Sequence, residues 1–258
     1  MLGLFDSGLG GLTVVRRVRE LLPLHDLVFL ADQAHVPYGD RSADDLYDLL
    51  RRNLGWLDSQ DVGGIVMACN TSCAIADVRG YPPTHAPILD LIESAAIAIR
   101  DAGFSRIGVI ATAATVRTGA YGRKLRALMP HACIHEVAAP ALVPLVEAGT
   151  IDGDEARAAV AAVCQELPDD VEVIILACTH YPLLDTHFDA VLGSAVARVD
   201  PAVEQAGRAA ALVASRGIAP GSGHTRYVTT GDVELFHANV SLLMAKHQPN
   251  CEAATPGI

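Results

Sequence analysis

Short runs of Val, Ile and Leu alternate with longer amphipathic stretches along most of the chain, and this alternation constrains the fold more than any other feature. Such runs are typical of parallel strands that are covered by helices on both faces. Eight strands are predicted to end at Phe5, Leu30, Met67, Ile110, Val137, Leu176, Val199 and Thr229. The pattern predicts an α/β protein whose functional residues follow the strand ends.

Three longer stretches are predicted to be helices. They span residues 12–22, 43–57 and 152–167, with Ser42 and Asp44 as caps of the second and Pro after the first and third. Residues 248–258 lack periodicity and are expected to fray.

Composition and charge narrow the classes of partner. A chain of 258 residues can form one large or two compact domains. Its net charge of −11 disfavours a nucleic-acid partner, because phosphates would be repelled over most of the surface. Since no apolar run approaches the length of a membrane span and no signal peptide is evident, we expect a cytoplasmic protein without a membrane partner.

The six cysteines are predicted to be reduced thiols. Two of them lie in a pair of similar sequence segments, which we call the internal echo. GIVMACNTS (residues 64–72) and VIILACTHY (residues 173–181) each place an Ala-Cys pair at the end of an apolar run. Cys69 and Cys178 are about one compact domain apart, which suggests two similar α/β units that each present one thiol to a shared cleft. Backbone N–H groups at the start of a helix are expected to lower the pKa of each thiol.

Other readings of the cysteines remain open. Zinc could be held by Cys69, Cys73, Cys178 and His180, although this set does not have the spacing typical of structural zinc sites. A catalytic triad would use one thiol and leave the other unexplained. The chain has two lysines, neither after a strand-like run, which disfavours a pyridoxal phosphate site. The remaining cysteines are predicted to be small packing residues: Cys73, Cys133, Cys164 and Cys251.

Four further motifs are candidates for a site. DSGLGG (residues 6–11) follows a short strand, so its N–H groups could hold an anion. HVPYGDR (residues 35–41) contains turn-forming residues, and ATAATVRTGAY (residues 111–121) supplies hydroxyl groups after a strand. VPLVEAGTI (residues 143–151) carries Glu147 in an otherwise apolar stretch, although most such carboxylates are solvated.

Taken together, DSGLGG, PYG, ACNTS, VPLVEAG, ACTHYP and TTGD resemble the motifs of the glutamate racemases, in the aspartate/glutamate racemase superfamily. The resemblance implies two α/β domains with parallel sheets, related by pseudo-twofold symmetry, and an active-site cleft between them. It implies a discontinuous first domain of residues 1–92 and 205–258 and a second domain of residues 93–204. Three positions depart from the pattern of many relatives and bear on pocket size and substrate: Ala111, Ala139 and Ala177.

The resemblance also assigns roles. It makes Cys69 and Cys178 the catalytic acid/base pair, assisted by Asp6, His180 and Glu147. Its substrate-binding positions are Asp6, Ser7, Tyr38, Gly39, Asn70, Thr71, Thr115, Thr179 and His180, and Asp32 is a supporting residue. It implies interconversion of L- and D-glutamate for peptidoglycan synthesis, without metal, nicotinamide or pyridoxal cofactors, and it is compatible with a homodimer.

Two classes of alternative function remain open. A related racemase would act on aspartate or a hydantoin, while a single-thiol decarboxylase is disfavoured by the presence of both cysteines. A non-catalytic regulator would bind a dicarboxylate without exchanging its α-proton.

Overall fold

The computed structural model describes residues 1–245 and 249–254 and contains two parallel β-sheets. The strands in chain order are β1 (Leu2–Asp6), β2 (Leu27–Ala31), β3 (Ile65–Met67), β4 (Ile88–Leu89), β5 (Arg106–Ala111), β6 (Cys133–Ala138), β7 (Val173–Ala177), β8 (Ala197–Val199), β9 (Thr225–Thr229) and β10 (Asn250–Ala253). All eight predicted strands are present, and each ends within one residue of its predicted end.

The helices in chain order are α1 (Leu12–Leu21), α2 (Ala43–Asp58), α3 (Asn70–Arg79), α4 (Leu91–Ala102), α5 (Ala113–Thr118), α6 (Ala120–Leu128), α7 (Leu142–Glu147), α8 (Asp154–Cys164), α9 (Asp185–Leu192), α10 (Pro201–Arg216) and α11 (Val233–Leu243). The three predicted helices correspond to α1, α2 and α8. Ser42 caps α2 as predicted, because its side chain accepts a hydrogen bond from the N–H of Asp45.

The first sheet has six strands in the order β10-β9-β2-β1-β3-β4, and the second has four in the order β6-β5-β7-β8. Every strand pair is parallel. The first sheet takes strands from both ends of the chain and the second takes them from the middle, which supports the discontinuous first domain; the boundaries at residues 92 and 204 stay a prediction. The fold class is confirmed.

Burial explains why the sequence signal was clear for the central strands and absent for two others. All residues of β1, β2 and β7 are buried, because helices cover both faces of each sheet. By contrast, β4 has two residues, and β10 is a short strand of mixed residues at the sheet edge with none of them fully buried. The expectation that residues 248–258 fray is wrong for residues 250–253, which pair with β9; residues 248 and 255–258 lie outside the described residues.

The two halves of the chain also meet through buried polar contacts. Gln205 on α10 donates hydrogen bonds to the carbonyl oxygens of Met67 and Leu89, at 2.7 and 2.9 Å. Its side-chain oxygen accepts a bond from Ser94 on α4. Among the described residues, no helix has the length and apolar character required to cross a membrane.

Candidate active site

One pocket gathers the loops that follow β1, β3, β5 and β7, and it contains both cysteines of the internal echo. Ten of the residues singled out in the sequence line it, namely Asp6, Ser7, Tyr38, Gly39, Cys69, Asn70, Thr71, Cys178, Thr179 and His180. Cys69 follows a strand of the first sheet and Cys178 one of the second. The predicted shared cleft with one thiol from each unit is therefore present.

Cys69 is the N-cap residue of α3, where its sulfur accepts a hydrogen bond from the N–H of Ser72 at 3.5 Å. Its thiol in turn lies 3.7 Å from the hydroxyl oxygen of Ser7. Burial, reinforced by the negative charge of Asp6, raises the pKa of the Cys69 thiol to about 12. The expectation that the helix start lowers this pKa is wrong, because loss of hydration outweighs the bonds at the cap.

Asp6 ends β1 and is completely buried, with its carboxylate turned into the glycine-rich loop. One carboxylate oxygen accepts hydrogen bonds from the N–H groups of Gly8 and Gly11, at 3.2 and 2.7 Å. Burial raises the pKa of Asp6 to about 6, against the opposing effects of His180 and these N–H groups. The loop thus holds a carboxyl group of its own chain, which titrates near neutral pH.

Cys178 begins a chain of three polar groups. Its sulfur lies 3.6 Å from Nδ1 of His180, and Nε2 of the same ring lies 2.6 Å from Oε1 of Glu147 on α7. Burial disfavours the charged imidazolium, but hydrogen bonds and charge interactions with Cys178 and Glu147 raise the pKa of His180 well above its usual value. Unlike Cys69, Cys178 precedes a single 3₁₀ turn (Tyr181–Leu184) rather than capping an α-helix.

The glycine-rich loop packs directly against this second group of residues. A Cβ atom at Gly10 would lie 2.5 Å from Oγ1 of Thr179 and 2.6 Å from Nδ1 of His180, and one at Gly8 would lie 2.8 Å from Oε1 of Glu147. Glycine at position 10 permits this close approach, because an added Cβ atom would force Thr179, His180 or the loop to shift. The loop of the first sheet therefore fixes the position of His180.

Tyr38 is placed by Asp32, which follows β2. The Tyr38 hydroxyl donates to a carboxylate oxygen of Asp32 at 2.5 Å, and the same oxygen accepts a bond from Asn53 at 3.0 Å. Burial opposes ionisation of Asp32, but hydrogen bonds from Tyr38, His35 and two other side chains outweigh it and lower its pKa. Asp32 does not line the pocket and holds Tyr38 from behind.

Hydroxyl and amide groups form the pocket wall beside Cys69. Oγ1 of Thr112 lies 2.9 Å from that of Thr71 and 3.0 Å from that of Thr115. Thr112 lines the pocket, whereas Thr115 is fully buried behind it. Nδ2 of Asn70 is buried and has no hydrogen-bond partner among the described residues, while its oxygen accepts a bond from Tyr121 at 2.6 Å.

Sequence reasoning missed Asn53, and it did not single out Thr112 and Tyr121 within the candidate segment of residues 111–121. Thr112 lies in the hydroxyl-rich segment after β5, and its position immediately after the strand could have identified it. Asn53 and Tyr121 lie inside helices, where polar side chains are usually solvated, so their contacts with the site become visible only in the fold.

The structure also bears on the zinc alternative and shows where the other four cysteines lie. Among residues 1–245 and 249–254, no three His, Cys, Asp or Glu side chains are arranged to hold a metal ion. Cys73 and Cys164 are buried packing residues, as predicted, and Cys251 is half-buried. Cys133 differs from the prediction because it lies exposed on the edge strand β6.

Comparisons with known proteins identify the family of this chain. The family model described as Asp/Glu/Hydantoin racemase matches residues 12–209. The chain is 42% identical over 247 residues to a glutamate racemase of Desulforudis audaxviator, covering 92% of this chain and 90% of the relative.

Two solved structures are similar over nearly their whole length. Glutamate racemase isoform RacE1 of Bacillus anthracis has a TM-score of 0.93 at 27% identity, covering 99% of this chain and 97% of that one. Glutamate racemase of Thermus thermophilus, in complex with beta-chloro-D-alanine, has a TM-score of 0.87 at 34% identity, covering 98% and 96%.

Proposed function

Since this chain belongs to the Asp/Glu/Hydantoin racemase family and is an isomerase of the amino-acid racemase class, we propose that it interconverts L- and D-glutamate with two cysteines and no cofactor. The substrate follows from the relative of Desulforudis audaxviator, a glutamate racemase 42% identical to this chain. The single observation that carries the mechanism is the placement of Cys69 and Cys178 in one pocket, each after a strand of a different sheet.

Racemisation requires a base on one face of the α-carbon and an acid on the other. In one direction the Cys178 thiolate removes the α-proton, and the Cys69 thiol gives its own proton to the opposite face. Cys178 is then a thiol and Cys69 a thiolate, which is the state that starts the reverse reaction. One C–H bond breaks and another forms, so neither an oxidant nor a metal is required by the balance of atoms and electrons.

The two thiols have different environments, which supports different resting states. A protonated His180, held by Glu147, stabilises a thiolate at Cys178 by its charge. Cys69 has a pKa raised to about 12 by burial and by Asp6, so it rests as the thiol. In the proposed forward direction Cys178 acts as the base and Cys69 as the acid, with the charge of Asp6 acting on Cys69.

Polar groups of the pocket are suited to the carboxylates and ammonium of glutamate. The unpartnered N–H of Asn70 and the hydroxyls of Thr71 and Thr112 can donate to a carboxylate. Ser7 and Thr179 lie on the facing side, beside Asp6. Tyr38 and Gly39 close the pocket from the loop before α2. Thr115 supports this wall through Thr112 instead of touching the ligand.

The proposal is tested by incubating purified enzyme with each enantiomer of glutamate and following optical rotation. The enzyme is dialysed against a chelator and receives no pyridoxal phosphate, and it is expected to convert either enantiomer to the racemate. Activity that vanishes on chelation and returns with zinc would contradict the metal-free mechanism. Parallel assays with aspartate and a hydantoin test the related racemases, and binding of glutamate without α-proton exchange in heavy water would indicate a non-catalytic regulator.

We further propose a place for the product. D-glutamate is consumed by peptidoglycan synthesis in the bacterial cytoplasm, and a glutamate racemase working there supplies it. Growth of a strain depleted of this enzyme should be restored by external D-glutamate if this role is correct.

A further inference from the structure

A second cleft lies beside the active-site loop, between the start of α2, the end of α3 and the helix α5. Its volume is about 560 Å³, within the ~300–1,000 Å³ of small-molecule sites. Four arginines line this arginine cleft (Arg41, Arg79, Arg117 and Arg123), together with one acidic residue, Asp77. Such a concentration of positive charge contrasts with the net charge of −11 of the whole chain.

Two of the four arginines are neutralised by ion pairs. Nη2 of Arg79 lies 2.5 Å from a carboxylate oxygen of Asp44, and Nη2 of Arg123 lies 2.6 Å from one of Asp77. These pairs leave Arg41 and Arg117 as the charges available to a ligand.

Arg41 and Arg117 donate only to carbonyl oxygens within the part of the chain that the structure describes. Nε of Arg41 lies 2.7 Å from the oxygen of His35, and Nη2 of Arg117 lies 3.3 Å from that of Gly39 and 3.4 Å from that of Arg41. A carbonyl dipole orients a guanidinium but does not neutralise it. The arginine cleft therefore carries about two uncompensated positive charges, which matches a dianion.

Apolar surface lies next to these charges. The floor of the cleft includes Leu46, Ile75 and Ala114, which are buried, and its rim includes Val78, whose exposure is 59%. Val78 is among the large apolar residues left exposed by the fold. A bound apolar group would remove this surface from water, which inorganic anions cannot do.

We propose that the arginine cleft binds a small amphipathic dianion, a phosphate monoester attached to an aromatic or apolar group. Its two charges pair with Arg41 and Arg117, and its apolar part covers Val78. The site contains neither cysteine, and it goes beyond the proposed racemisation. Since Arg117 also holds Gly39, which lines the active site, the test must separate binding in the arginine cleft from binding in the catalytic pocket.

The test is isothermal titration of the full chain with phenyl phosphate and with inorganic phosphate at constant ionic strength. Phenyl phosphate is expected to bind several-fold more tightly than inorganic phosphate. Arg117→Gln and Arg41→Gln should each weaken phenyl phosphate binding about tenfold, the range for one charge-assisted contact. Arg51→Gln is the matched control: it removes one exposed arginine of α2 outside the cleft, and it should leave binding unchanged.

Two further variants keep the test decisive. Val78→Ser alters an exposed side chain and should abolish the advantage of phenyl phosphate over inorganic phosphate without affecting folding. Asn70→Ala alters the catalytic pocket and should leave binding unchanged. Absence of binding, equal weakening by Arg51→Gln, or loss of binding in Asn70→Ala would each overturn the proposal. Because heat is measured rather than turnover, an enzyme inactive on glutamate would leave this result intact.

Discussion

Nε2 of His180 donates a hydrogen bond to Oε1 of Glu147 across 2.6 Å, while Nδ1 of the same ring faces the sulfur of Cys178 at 3.6 Å. Both ring nitrogens are therefore engaged, which fixes the orientation of the imidazole. The arrangement couples the charge of Glu147 to the thiol through one ring, as a carboxylate orients the histidine of other catalytic arrays.

We expect Glu147→Gln to lower kcat by about ten- to a hundredfold, because the amide cannot stabilise the protonated ring that supports the thiolate. KM should change much less, since Glu147 does not line the pocket. Initial rates with each glutamate enantiomer, measured by circular dichroism, provide both constants.

The matched control is Glu155→Gln, which makes the same change at an exposed position on α8. It should retain the parent kcat. Equal loss of activity in both variants would show that Glu147 has only a structural role. The same conclusion would follow if a lower melting temperature explained the loss of activity in Glu147→Gln.

The raised pKa of Asp6 predicts that the free energy of unfolding depends on pH. This pKa is about 6 in the folded protein against an ordinary value of 3.8, so ionisation favours the unfolded chain as pH rises from 4 through 6. Ionisation of Asp6 lowers the free energy of unfolding by on the order of 3 kcal/mol. This loss is complete above about pH 6 and absent below about pH 4. Asp6→Asn should therefore gain stability relative to the parent between pH 4 and pH 7.5, as measured by urea unfolding. A difference that is constant with pH would contradict the raised pKa.

The strands were predictable because helices cover both faces of the sheets. Complete burial requires every side chain of β1, β2 and β7 to be apolar, except where Asp6 ends β1, so each strand is a short continuous run in the sequence. The strand β10 has no such run, because it lies at the sheet edge and none of its four residues is fully buried. Its position is set by the tertiary contact with β9 and not by local sequence.

The site was predictable as far as its motifs follow strand ends. Cys69 and Cys178 are recognisable because each comes just after an apolar run, and parallel strands direct such residues to one edge. The direction of the Cys69 pKa shift was not predictable, because it depends on how completely water is excluded. The glycines of DSGLGG were interpreted as a place for an anion. In the structure the N–H groups of Gly8 and Gly11 bind the carboxylate of Asp6 from the same chain, and Gly10 leaves room for His180.

Gly10→Ala should reduce activity more than stability. The new Cβ would lie 2.6 Å from His180 Nδ1, so the ring or the loop must shift, which should disturb the contact between His180 and Cys178. The control Gly55→Ala lies within α2 with no neighbouring atom within 4 Å, and it should stabilise the fold by about 1 kcal/mol at full activity. Thermal melting and kcat on both variants measure the contrast. Full activity in Gly10→Ala would show that the loop does not position His180.

The two thiols should also differ in reactivity towards iodoacetamide at pH 7. Cys69 and Cys178 are exposed by only 3% and 6%, so access is similar and the ionisation of each thiol decides. Cys178 should react first, since His180 stabilises its thiolate, and His180→Asn should slow that reaction alone. Mass spectrometry of digested peptides gives both rates in a Cys133→Ser background, which removes the exposed thiol. Faster labelling of Cys69 would reverse the assigned resting states.

The last prediction separates the thiols by stereochemistry. Replacing either cysteine with serine substitutes a far weaker acid, so racemisation should collapse in both Cys69→Ser and Cys178→Ser. The remaining thiol still faces one side of the α-carbon. It can remove the α-proton of the enantiomer whose hydrogen points towards it and return solvent deuterium to that same face without inversion.

Residual exchange in heavy water should therefore have opposite enantiomer preferences in the two variants. Proton NMR of the α-position measures it for each enantiomer of glutamate, and Cys164→Ser is the matched control because its buried thiol lies outside the pocket. That control should racemise at the parent rate. The opposed two-thiol mechanism is wrong for this protein if both catalytic variants prefer the same enantiomer, or if either one racemises glutamate as fast as the parent enzyme.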